Sequence, residues 1–144
     1  MFSGLHTHRL DEKGRVSIPK EFRAAGDGKF FITVSPDGAL LVYDEAGFDR
    51  MRSRLNSMDD FDSRVRWLKR IFLMGPEAQS CDDYGRLKLT PKLIQFAGLK
   101  KDVIVQGLDD YFELWDKERY ELKMDEELKQ FDQYMRQLSS TGKT

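Results

Sequence analysis

Two arginines in this chain follow a glycine, and each glycine stands three residues after an aspartate. The segments are Asp11-Glu12-Lys13-Gly14-Arg15 and Asp82-Asp83-Tyr84-Gly85-Arg86, 71 residues apart position for position. A guanidinium is a planar fork of N–H donors that matches phosphate oxygens and the guanine edge. A tight turn carries such a fork to a surface tip. Gly14 and Gly85 stand where that turn wants positive φ, which glycine adopts without a Cβ clash. Asp11 and Asp82 are placed to accept hydrogen bonds from the turn's N–H groups. Two uses stay open at this level. The arginines reach a polyanion, or each pairs with its own aspartate and only braces the turn.

Cations gather near both motifs. Arg9, Lys13, Arg15, Lys20 and Arg23 surround the first, against Asp11, Glu12 and Glu21. Arg86, Lys88, Lys92, Lys100 and Lys101 surround the second, against Asp82 and Asp83. The whole chain carries a formal net charge of −1, which argues against a protein that coats polyanions indiscriminately. It leaves room for local basic patches, because binding follows charge distribution and not the total. A β-element with Arg and Lys on its outward face fits strand-type DNA readers.

Other candidate chemistry is thin. His6 and His8 share one face of an expected strand, but no further His or thiolate cluster completes a metal site. Cys81 has no partner for a disulfide and reads as a packing residue in a reducing compartment. Asp82 and Asp83 point to opposite faces of an extended chain and do not form an acid–base pair. No glycine-rich phosphate loop is present. The expectation is a protein that is not an enzyme, with no cofactor, metal or small-molecule substrate. The first residues lack a signal peptide's apolar core, and no apolar run nears the roughly 20 residues of a membrane span. A soluble, cytoplasmic protein is expected.

The elements that must position the motifs follow from periodicity. Residues 5–18 alternate, turn at Gly14 and alternate again through Val16 and Ile18 until Pro19. Lys20–Ala25 makes a helical turn. Residues 29–34 and 39–43 form strands joined by Ser35-Pro36-Asp37-Gly38. Asp44 caps a helix bearing Phe48, Met51 and Leu55. After a polar break, a second helix carries Phe61, Val65, Leu68 and Phe72 and stops at Gly75-Pro76. The programme then repeats, with strands at 80–89, 102–106 and 111–115, and a helical turn from Pro91 to Gly98. Asp116 caps a long helix with a near-heptad seam, Tyr120, Met124, Leu128, Phe131, Met135 and Leu138. The expected divisions are a first repeat at 5–49, a helical connection at 50–75 and a second repeat at 76–121. The C-terminal helix continues over 122–138, with a disordered tail at 139–144. Each copy is too small for a large core, so two copies close one barrel-like core with pseudo-twofold symmetry. The two apolar helical stripes, 61–74 and 120–138, read as core or subunit contacts, and the C-terminal one is the better candidate for self-association.

Gly-Arg-Val-Ser-Ile-Pro-Lys-Glu-Phe-Arg (14–23), the paired Asp-x-x-Gly-Arg turns and the Met-Phe-x-Gly start resemble the MraZ family. So do Phe-Ala-Gly-Leu (96–99) and Leu-Trp-Asp-Lys-Glu-Arg-Tyr (114–120), and the resemblance covers nearly the whole chain. It implies a mainly β fold with helices (α+β): the duplicated, swapped-hairpin barrel of the AbrB/SpoVT superfamily. It also implies a DNA-binding transcriptional regulator of the bacterial division and cell wall gene cluster. Such a regulator acts on direct repeats in double-stranded DNA upstream of its own operon, as a nucleoid-associated ring homo-oligomer. On this reading Arg15 and Arg86 contact DNA, joined by Lys13, Arg9, Lys20 and Lys88, while Asp11, Gly14, Asp82 and Gly85 shape the turns. Three positions depart from the family pattern: Ile94 and Ser3 stand where Arg is frequent, and Thr90 replaces the proline aligned with Pro19. The first copy fits better, so Arg15 is expected to matter more than Arg86. The alternatives are a protein-interaction scaffold and, more remotely, a small hydrolase built on His6 and His8.

Overall fold

Each half of the chain runs through the same order of elements. The first has strands β1 (Leu5–Arg9) and β2 (Arg15–Ser17), helix α1 (Lys20–Ala25), strands β3 (Lys29–Val34) and β4 (Leu40–Tyr43), and helices α2 (Glu45–Asn56) and α3 (Ser63–Phe72). The second has β5 (Gln79–Ser80), β6 (Arg86–Lys88), α4 (Pro91–Ala97), β7 (Asp102–Gly107), β8 (Tyr111–Asp116), α5 (Lys117–Leu128) and α6 (Phe131–Thr141). The computed structural model describes residues 1–75 and 78–141. The fold is α+β and duplicated, as the sequence leads one to expect. Helix α3, expected as an insertion between the copies, has its counterpart in α6 and closes the first half.

The halves interlock. A curled antiparallel sheet has the order β1-β7-β8-β4-β3-β5, so β1 lies on β7 and β5 lies on β3. Each half thus lends its first strand to the other half's third. Strands β2 and β6 pair separately, with Val16 opposite Leu87, Arg15 opposite Lys88 and Ser17 opposite Arg86. Val16 and Leu87 are the same position of the two copies. Pairing of β4 with β8 sets Leu41 opposite Glu113, again equivalent positions, since one residue inserted within the second unit raises the offset there to 72. A pseudo-twofold axis passes between the members of both pairs. This exchange of hairpins is the swapped-hairpin arrangement.

Burial explains why the exchange is needed. A three-residue strand shields little by itself, and two-stranded units are marginal in water. Val16, Ile18 and Phe22 from one half meet Leu87, Leu89 and Leu93 from the other in one buried cluster with Phe30, Val105 and Phe112. Each such side chain contributes roughly 1.5–3 kcal/mol on burial. Phe2 closes the end of this core. Its ring meets Phe22 and Phe112 at 5.3 and 5.2 Å, edge-on, and its backbone exchanges hydrogen bonds with Asp109. Gly107 lets that segment pass, since a Cβ there would lie 2.5 Å from the Phe2 carbonyl carbon.

Three helical features differ from the sequence reading. Phe61 precedes α3 and is 94% exposed instead of joining its buried stripe. The single C-terminal helix is two helices, broken at Lys129-Gln130. Helix α5 rests on β7 and β8, while α6 exposes Phe131 and Met135. A heptad seam stays continuous when a facing helix fills it, and Phe131 and Met135 of this seam remain exposed. Helix α6 also extends to Thr141, so residues 139–141 are helical and not tail. Pro76, half of the expected stop at Gly75-Pro76, and residues 142–144 lie outside the described residues. No helix among the described residues is long and apolar enough to cross a membrane.

Candidate nucleic-acid interface

The two Asp-x-x-Gly-Arg turns are built alike, atom for atom. Asp11 Oδ1 accepts from the Lys13 and Arg15 backbone N–H groups, both at 2.9 Å, and Asp82 Oδ1 accepts from Tyr84 and Arg86, both at 2.9 Å. Gly14 N–H donates to the Asp11 carbonyl and Gly85 N–H to the Asp82 carbonyl. Both glycines hold positive φ, 77° and 78°. The aspartate carboxylate supplies acceptors for N–H donors that a tight turn leaves unpaired, and glycine supplies its backbone shape. The donated N–H groups, foremost those of Arg15 and Arg86, pull the Asp11 and Asp82 carboxyls below their ordinary range.

The arginines are held, not free. Arg15 Nε donates to Asp11 Oδ2 at 2.7 Å and Arg86 Nε to Asp82 Oδ2 at 2.9 Å. Their side chains are 28% and 27% exposed, so neither is the projecting arm that the sequence suggests. The bracing use and the binding use are compatible, because an Nε bond fixes the guanidinium plane without itself using the Nη donors. The turns also abut across the pseudo-axis. Arg86 Nη1 lies 3.7 Å from Asp11 Oδ2, so Asp11 serves both arginines. The backbone crosses too: Ile18 N–H donates to the Gly85 carbonyl and Leu89 N–H to the Gly14 carbonyl.

The other predicted cations divide. Lys13 rides on the first turn, and the Lys88 ammonium crosses from the second copy to donate to the Lys13 carbonyl. Lys13, Arg15, Arg86 and Lys88 therefore form one surface. Arg9 ends β1 against Asp102 at 3.8 Å, and Lys20 opens α1. Two residues of this surface escaped the sequence-based choice. Arg23 donates through Nε to the Ile18 carbonyl and lays its guanidinium over Gly85, in the other copy's turn. Tyr84 is 80% exposed, with the Arg86 guanidinium 5.1 Å from its ring centre. Their signal was the offset of 71 residues, which sets Arg23 against Ile94 and Lys13 against Tyr84, read together with the strand exchange.

The remaining candidates do other things. His6 and His8 stack 6.3 Å apart near Phe22, and among the described residues no group of three His, Cys, Asp or Glu side chains is placed to hold a metal ion. Cys81 packs against the core, and burial pushes its thiol up.

A family model described as "MraZ protein, putative antitoxin-like" matches residues 1–71 and again residues 72–143. The chain belongs to the MraZ family. Both matches span one full run of elements, so the family unit includes the closing helix pair of each half. Curated relatives named "Transcriptional regulator MraZ" are similar along most of their length. The protein from Acidovorax sp. (strain JS42) is 38% identical over 127 residues, 85% of this chain and 87% of its own. That from Thioalkalivibrio sulfidiphilus is 36% identical over 137 residues, 92% and 91% of the two chains. That from Mycobacterium leprae (strain TN) is 38% identical over 116 residues, 81% of each.

Proposed function

We propose that this MraZ family member is a transcriptional regulator that binds double-stranded DNA in a sequence-specific manner. The observation that carries the reading is the paired turns, whose preset guanidiniums lie beside Lys13, Lys88 and Arg23 on one surface. Arginines fixed in direction lose little entropy on binding a phosphate or a guanine edge. The names of the relatives point the same way. The finer expectation is a regulator of the division and cell wall gene cluster, acting on direct repeats upstream of its own operon, in the cytoplasm and associated with the nucleoid.

One subunit offers a small footprint, and a ring of copies multiplies it without new contacts. The two helical pairs supply faces for such a ring. Helix α3 exposes Trp67 and Ile71 among Arg64, Arg66 and Arg70, with no acidic residue in its span. Helices α5 and α6 expose Leu128, Phe131 and Met135 beside Asp125, Glu126, Glu127 and Asp132. A basic apolar face on one copy and an acidic apolar face on the next make a head-to-tail contact, which closes into a ring when its rotation allows.

The test is a binding series on the region upstream of the gene, with repeat number and spacing varied. Affinity should rise with repeat number, depend on spacing and fall with salt. Loss of both preferences in the Arg15→Ala, Arg86→Ala double variant is expected, and retained operator affinity in a folded double variant overturns the proposal. Binding to DNA without salt dependence or sequence preference would instead favour a protein-interaction scaffold, for which exposed Phe61 and Trp67 would be the contacts.

A further inference from the structure

The two turns agree in what is buried and differ in what faces out. Asp, Gly and Arg recur with the same hydrogen bonds, and Val16 and Leu87 share the axis. Apart from the acidic pair Glu12 and Asp83, the outward positions do not recur. Lys13 corresponds to Tyr84, Ser17 to Lys88, Lys20 to Pro91 and Arg23 to Ile94. The strand exchange then sorts these side chains. Lys88 crosses to the first turn, where it joins Lys13 beside Arg15. Arg23 crosses to the second turn, where it joins Tyr84 beside Arg86, while Ile94 takes the matching place against Gly14.

The first turn therefore sets two ammonium groups beside its arginine, and the second sets a further guanidinium and an aromatic ring beside its own. These are different chemistries. An ammonium is a strongly hydrated point charge that suits phosphate, whereas a guanidinium fork matches base edges in a fixed geometry. Tyr84 contributes almost nothing to the core, and its ring backs the Arg86 guanidinium. Such a ring at a turn tip packs on the apolar face of a base or a thymine methyl while the neighbouring arginine makes polar contacts.

Resting on the DNA reading above, we infer that the two turns divide recognition: the first turn, through Lys13 and Lys88, holds phosphates, and the second turn reads bases, with Tyr84 as a specificity-determining residue beside Arg86. A unit with an intact twofold axis reads a palindrome. This unit has a twofold backbone and unlike reading surfaces, so its site has a direction. Copies that all point one way around a closed head-to-tail assembly then meet direct repeats in a consistent sense.

The experiment measures binding of the full chain, in its own oligomeric state, to two DNA fragments of equal length and composition across a salt series. One carries the repeats from upstream of the gene and the other carries them scrambled. Tyr84→Ala should lower the ratio of the two affinities by at least about fivefold and leave the salt slope as it is. Lys13→Ala and Lys88→Ala should each weaken both fragments alike and reduce the salt slope by about one. Circular dichroism and size-exclusion profiles of all variants should match the unmutated chain, because these side chains are exposed. A ratio unaffected by Tyr84→Ala, or a ratio lost in either lysine variant, overturns the inference while the DNA reading stands. An unmutated chain that binds both fragments equally overturns the DNA reading and the inference with it.

Discussion

Val16 and Leu87 face each other across the β2–β6 pairing, and each is the other's counterpart in the repeat. Both are fully buried. Their neighbours in the two short strands are Arg15, Ser17, Arg86 and Lys88, so one apolar contact positions both halves of the candidate DNA surface. Buried packing and exposed chemistry are joined here at a distance of one residue.

Leu87→Ala should therefore do double damage. Truncating a fully buried leucine costs about 2–5 kcal/mol when the cavity cannot collapse. The lost contact lies on the axis, so amide exchange should accelerate at Arg15 as well as at Arg86. Loosening confined to the second copy would contradict the interlocked pairing.

Asp11 and Asp82 make the same turn but carry different loads. Asp11 faces the guanidiniums of Arg15 and Arg86, whereas Asp82 pairs with Arg86. Asn in either place keeps an acceptor for the turn and removes the charge. Asp11→Asn should lower Tm more than Asp82→Asn, measured by thermal melts at pH 7.

Acid should release the turns late. Hydrogen bonds lower both aspartates below the ordinary value of 3.8 when the chain is folded. A depressed carboxyl stabilises the fold fully above the unfolded pKa, and that contribution is lost as pH falls through the folded value. Amides of Lys13, Arg15, Tyr84 and Arg86 should keep their protection below the pH at which free aspartate titrates, read by NMR between pH 5 and 2. Loss of protection already at the free-aspartate midpoint would refute this.

His8 should give a second, milder pH step. Its Nε2 is buried with no hydrogen-bond partner among the described residues, and burial, then the nearby His6, lowers its pKa from 6.5. The unfolded chain therefore binds this proton more readily than the folded one. Stability should be complete above pH 6.5 and decline as pH falls toward the folded pKa. His8→Gln should flatten the difference between melts at pH 7.5 and pH 5.5.

Phe2→Ala tests the closure of the core by the N-terminal segment. The side chain is 1% exposed and lies among Phe22 and Phe112. A loss of about 3–5 kcal/mol is expected, measured by denaturant unfolding. A loss below about 1 kcal/mol would mean that the segment is not part of the core.

Local signals determined much of this protein. Alternation, Gly-φ preferences and aspartate caps act within a few residues, so both turns, most strand positions and the N-caps Asp44 and Asp116 were legible from the chain. Repetition at an offset of 71, then 72, residues revealed the duplication, and the motif with its flanking segments pointed to the family. The tertiary structure decided where each side chain went once the strands were exchanged. Lys88 joined the first turn and Arg23 the second, although neighbours in sequence suggest the reverse. It also decided that Arg15 and Arg86 are held by carboxylates and half-buried, and that the C-terminal seam breaks at Lys129-Gln130. The reason is one of range. Periodicity reports which face of an element is apolar, but only packing states which element covers that face, and in this fold the covering element usually comes from the other half of the chain.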